Sequence, residues 1–126
     1  MTGRNILNMA LDLMNMRGSD GMLPVSCADM ESRATNIINI CLAQCAPLNK
    51  RLCNTEAPVT LLKSLDDTVE YDETLLVSVI PYGVAADLSA DEDPSLSNKF
   101  EEKYRFAYKS AFRYSRARLH SVTEVY

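Results

Sequence analysis

The stretch Val77 to Phe100, VSVIPYGVAADLSADEDPSLSNKF, limits the possible folds more than any other part of the chain. A run of apolar residues is interrupted by Pro81 and Gly83, then closed by Asp91, Glu92 and Asp93 directly ahead of Pro94. Proline lacks the N–H that a helix interior needs, and it is tolerated in the first turn, where that N–H would have no partner. The pattern therefore predicts a short apolar helix bent or begun at Pro81, an acidic stop, and a second helix starting at Pro94.

Helical spacing recurs on both sides of this stretch. Ile6, Met9, Ala10, Leu13 and Met14 predict an amphipathic helix over residues 3–17, with Thr2 as N-cap and Gly18 just past its end. Ser26 and Asp29 have capping-box spacing ahead of Met30, Ala34, Ile37, Ile38, Cys41, Leu42 and Cys45, one apolar stripe expected to stop at Pro47. Asp72 or Thr74 can cap the helix that carries Leu76, Val79, Ile80, Gly83, Ala86 and Asp87 on one stripe. The last helix runs from Pro94 to about Arg116. Phe100, Tyr104, Ala107, Tyr108, Ala111 and Phe112 form its apolar side, and Glu102, Arg105, Lys109, Arg113 and Arg116 its charged side.

Between the helices, residues 18–28 read as a flexible linker, residues 49–58 as polar and ill-defined, and VTLLKSL (59–65) as a short extended segment. Residues 117–126 are a β-prone tail without a partner strand. The expected fold is mainly α: one domain over residues 1–126, a small antiparallel bundle of about four helices with a short extended segment and that tail. At 126 residues and 47% hydrophobic content the core is real but thin.

Charge is segregated along the chain. Residues 1–63 hold six basic and five acidic side chains, residues 64–93 hold nine acidic and no basic, and residues 94–126 hold seven basic and three acidic. A formal charge of −4 argues against a general polyanion binder. An acidic segment followed by a basic one suits head-to-tail contact between copies, although acidic helix caps and solubilising Lys and Arg produce the same pattern.

Candidate chemistry is sparse. His120 is the one histidine, and no GxxxxGK[ST], GxGxxG or GxSxG occurs. Cys41 and Cys45, at i and i+4, can place two thiolates on one metal with Cys27 and Cys53 as further ligands, but both lie on the apolar stripe, where free Cys packs as a small hydrophobe. Asp66, Asp67, Glu70, Asp72 and Glu73 lack the spacing of a calcium loop and read as capping and solvated charge. No catalytic, cofactor-binding or metal-ligating residue is assigned. Asn5, Asn8, Asp12 and Asn15 break up the start of the chain, and Leu75–Ala86 is too short to span a bilayer. The expectation is a cytosolic protein with reduced thiols and no membrane partner.

Several of these segments together resemble the head-to-tail adaptor (connector) proteins in the neck of tailed bacteriophages. The residues concerned are Leu65, Asp66 and Asp67; Pro81, Tyr82, Gly83, Ala85 and Ala86; Asp91, Glu92 and Asp93; and Phe100 with Tyr104. The stretch ESRATNIINICLAQC (31–45) is similar to the family's second helix, and the resemblance spans residues 28–126. It implies a non-enzymatic virion protein, made in the bacterial host cytoplasm and assembled as a dodecameric ring on the portal protein. Such a ring continues the channel through which packaged DNA passes and joins it to a stopper or tail-completion protein. On this reading the subunit interface sets Arg105, Lys109, Arg113 and Arg116 against Asp87, Asp91, Glu92 and Asp93 of the neighbour, and Leu119, Val122, Val125 and Tyr126 reach the portal. The alternative is a small helical nucleic-acid-binding regulator, using the basic side of the last helix interleaved with Tyr104, Phe106, Tyr108, Phe112 and Tyr114.

Overall fold

The computed structural model describes residues 1–14, 28–54, 61–90 and 93–124, with the backbone alone for 28–30 and 116–124. The described residues form a helical bundle of five helices: α1 (Gly3–Leu13), α2 (Ala28–Cys53), α3 (Glu73–Ser78), α4 (Ile80–Ser89) and α5 (Pro94–Glu124). The expected linker at 18–28, the capping residue Ser26 and the Asp91–Glu92 pair lie outside the described residues, apart from Ala28, which begins α2.

α4 is the centre of the core. Ile80, Pro81, Gly83, Val84, Ala85, Ala86 and Ser89 are all buried, as expected of a helix that is apolar nearly all round. Pro81 stands in its first turn, and the break from α3 falls at Val79, whose φ of −119° departs from helical geometry. Asp72 caps α3, accepting the Thr74 N–H at 2.9 Å, as its position in the sequence predicts. Contacts between residues 86 and 97 and between 83 and 104 run α4 antiparallel to α5.

α2 continues past Pro47 to Cys53, a correction to the expected stop. Proline inside a helix costs about 3 kcal/mol. Beyond it, however, Leu48 and Leu52 are buried on the same stripe as Ile38, Cys41, Leu42 and Cys45. Two buried leucines contribute roughly 3–6 kcal/mol, enough to carry the helix across the defect. It ends at Asn54, whose φ of 52° is the left-handed turn that asparagine tolerates after a helix.

The β-prone tail is also corrected: backbone from residue 117 to Glu124 continues α5. A lone strand leaves its N–H and C=O groups without partners, whereas helix extension satisfies them within the segment. VTLLKSL forms no strand among its described residues, and the one isolated bridge nearby, Thr2 to Thr68, falls beyond its end.

The described segment 61–72 has almost no regular structure, yet it is firmly anchored. The Asn39 side chain clamps Leu62, donating to its carbonyl at 2.9 Å and accepting its N–H at 2.7 Å. Further along α2, the Tyr71 hydroxyl donates to the Leu42 carbonyl at 2.8 Å, and the Asn49 side-chain oxygen accepts the Asp72 N–H at 2.8 Å. Its other side caps α1. Carbonyls of Asp67 and Leu65 accept the Gly3 and Arg4 N–H groups, two of the donors that a helix N-terminus leaves unsatisfied, and Thr2 caps a third through Asn5. Arg4 then bridges Glu31 of α2 at 2.9 Å and Asp66 at 3.2 Å, tying α1, α2 and the segment together.

Candidate functional site

Three helices meet at Tyr104. Its hydroxyl donates to Gln44 Oε1 at 2.8 Å and lies 3.5 Å from Cys45 Sγ, both on α2. Its ring lies against Gly83 of α4, where an added Cβ would come within 3.0 Å of the ring and 3.1 Å of Cys41 Sγ. Burial raises the Tyr104 hydroxyl and the Cys45 thiol above their ordinary pKa and pushes Cys41 up to about 12. These thiols are protonated core atoms, and among the described residues no group of three or more His, Cys, Asp or Glu is placed to hold a metal.

Beside this junction a cleft of about 270 Å³ is lined by Gln44, Tyr104, Arg105, Tyr108 and Lys109. A second, of about 400 Å³, lies where Arg4, Glu31, Lys63 and Asp66 meet. The Asp66–Asp67 pair has a structural role in the fold. Asp66 pairs with Arg4, and Asp67 Oδ2 accepts the Lys63 and Ser64 N–H groups at 2.8 and 3.1 Å, which holds its carboxyl below the usual range.

The candidate interface residues are scattered rather than gathered. Asp93 is the N-cap of α5, accepting the Leu96 N–H at 3.1 Å. Asp87 is exposed on α4, its carboxyl raised by partial burial and by nearby Glu101, with Arg33 opposing. Arg105 pairs with Glu101 at 3.1 Å, one turn away. Lys109 and Arg113 are exposed on the same side of α5. Of Arg116, Leu119 and Val122 only the helical backbone is described; Val125 and Tyr126 lie outside the described residues.

Of the apolar groups left in water, Phe106 and Tyr114 stand among the aromatics interleaved with the basic side of α5, as the sequence places them, whereas nothing in the sequence reading singled out Val77. Phe106 is 72% exposed between Arg105 and Lys109, Tyr114 is 59% exposed, and Val77 on α3 is 52% exposed. The signal available in the sequence was that each falls off its helix's apolar stripe. Phe112, expected on the apolar side of α5, is also exposed, with the Arg51 guanidinium 4.5 Å above one face of its ring, and Arg51 also reaches the Ser115 hydroxyl at 3.4 Å.

No family model, curated protein or solved structure matches the chain. Among the described residues, no helix is long and apolar enough to cross a membrane.

Proposed function

We propose that this chain is a structural adaptor of a phage neck, a ring-forming virion protein that docks on the portal, continues the DNA channel and receives the stopper or tail. The observation that carries the reading is the contact of Gly83 with Tyr104. Part of the residue set behind the resemblance, separated in sequence, packs together: Pro81 opens α4, Gly83 admits the Tyr104 ring, Asp93 caps α5 and Phe100 is buried. Leu65, Asp66 and Asp67 lie instead at the start of α1, and Asp91 and Glu92 fall outside the described residues. A closely packed unit of this kind suits a part that works through surface complementarity. Because the backbone is helical to Glu124, the proposed portal contact by the C-terminal end is a helix laid in a groove rather than a strand added to a sheet.

The test is portal binding. Purified chain mixed with portal rings should co-sediment with them, and Lys109→Glu with Arg113→Glu should weaken that assembly. Wild-type stoichiometry from the double variant would remove the electrostatic docking idea, and no co-sedimentation of the native chain would remove the adaptor reading.

Phe106 exposed among Arg105, Lys109 and Arg113 favours a second reading, a nucleic-acid surface on α5. It requires binding to duplex DNA that falls steeply with salt, and absence of binding at low salt eliminates it.

A further inference from the structure

Two outer faces of the bundle have matching designs with opposite charge. On α5, Phe106, Lys109 and Arg113 are exposed at i, i+3 and i+7, with exposed Glu102 and Lys103 one turn before Phe106 and Arg105 paired to Glu101, so an aromatic ring stands in water on a surface whose C-terminal half is basic. On α3, Glu73 and Val77 are exposed at i and i+4, with exposed Glu70 just before the helix, so an aliphatic side chain stands in water within an acidic field. We infer that these faces are the two halves of one heterologous contact, with Phe106 of one copy of this chain seated on Val77 of the next and Lys109 and Arg113 facing Glu70 and Glu73.

The choice of acidic partner follows from how the other carboxylates are used. Asp66 is held by Arg4. Asp67, Asp72 and Asp93 accept backbone N–H groups in turns or caps. Asp87 shares its surroundings with Arg33 and Glu101. Glu70 and Glu73 have no such role among the described residues, and Glu73 stands one turn before Val77, the exposed apolar residue of the acidic segment. A second copy is the favoured occupant because the chain itself supplies both signs, nine acidic and no basic side chains over residues 64–93 against seven basic and three acidic over 94–126. An apolar centre with a charged rim is the usual anatomy of a protein contact. Because the two faces differ, the contact propagates into a ring or an open chain rather than stopping at a dimer. The inference deepens the adaptor reading and rests on it for its biological setting, but self-association is measured on this chain alone.

Sedimentation equilibrium of the full chain, from micromolar to several hundred micromolar, should show a mass that rises past the dimer and falls as salt is added. Lys109→Glu and Glu73→Lys should each weaken association roughly tenfold or more, as should Phe106→Ser. An equimolar mixture of the two charge variants should restore it, since each reversed face then meets its complement. All these positions are exposed, so the circular dichroism melt reports whether each variant stays folded. A chain that remains monomeric throughout, association untouched by the variants, or a mixture that fails to recover overturns the inference. A monomer that binds duplex DNA through Phe106 assigns the α5 face to nucleic acid instead. Portal binding by a chain that does not self-associate defeats this contact and leaves the adaptor reading standing; self-association without portal binding does the reverse.

Discussion

Gly83 and Tyr104 touch so closely that the glycine's missing side chain is what lets α4 and α5 approach. A Cβ there would lie 3.0 Å from Tyr104 Cζ and 3.1 Å from Cys41 Sγ. The ring cannot retreat freely, because its hydroxyl is bonded to Gln44 and Cys45. Replacing glycine by alanine inside a helix gains about 1 kcal/mol, whereas overpacking costs about 1–3 kcal/mol. Gly83→Ala should therefore destabilise by about 1 kcal/mol in urea unfolding, and Gly83→Leu by much more. In a Tyr104→Ala background the cost of Gly83→Ala should shrink. A stabilising Gly83→Ala in the native background would show that the junction is loose.

Asn39 holds Leu62 by both backbone groups at once. Asn39→Ala leaves that N–H and C=O without their partners and should cost about 1–3 kcal/mol. Asn39→Asp keeps the acceptor for the N–H but loses the donor, so its urea midpoint should fall between wild type and Asn39→Ala. An unchanged midpoint for the alanine variant would mean that segment 61–72 is held mainly by the burial of Leu62, Leu65 and Val69.

Two carboxylates should shape acid stability with opposite signs. Asp67 has a lowered pKa, caused first by the Lys63 and then the Ser64 N–H, so its contribution is present above the unfolded-state value of about 3.9 and is lost as pH falls through its lower folded value. Asp87 has a raised pKa, caused first by burial and then by Glu101, so its folded state binds the proton more tightly and stability falls as pH rises from about 3.9 through the folded value. Asp87→Asn should raise the melting temperature at neutral pH, with the gain vanishing below about pH 4. Asp67→Asn should lower it at neutral pH and matter less in acid. Thermal melts across that range decide both.

The thiols should sort by burial. Cys41 and Cys45 are enclosed, with Cys41 raised to about 12, while Cys53 is exposed. At mildly alkaline pH an alkylating reagent should label Cys53 rapidly in the folded protein and reach Cys41 and Cys45 only on unfolding. Peptide mass spectrometry reads the order, and early labelling of Cys41 would contradict the packing at the α2–α4–α5 junction.

Local rules made much of the fold legible. Thr2, Asp72, Pro81 and Pro94 mark helix starts because a cap or a missing N–H acts within one turn, and the stripe from Ala34 to Cys45 shows the core side of α2 because burial follows the 3.6-residue period. The same locality misleads at Pro47 and after Arg116. At Pro47 the local cost of proline is outweighed by leucines buried against other elements, and after Arg116 β-propensity has no partner strand to act on. The sequence by itself thus determined where α1, α3, α4 and α5 begin and which side of α2 faces inward. On α1, however, Leu7 and Leu11 are buried in place of the expected Leu13, and Asp87 and Phe112 of the expected apolar stripes are exposed. Tertiary structure alone decided that Gly83 admits Tyr104, that Asn39 grips Leu62, that Asp93 is used up in capping, and that Val77 is left in water. Those outcomes depend on which distant segments come within hydrogen-bond or van der Waals range, and periodicity along one element carries no record of its neighbours.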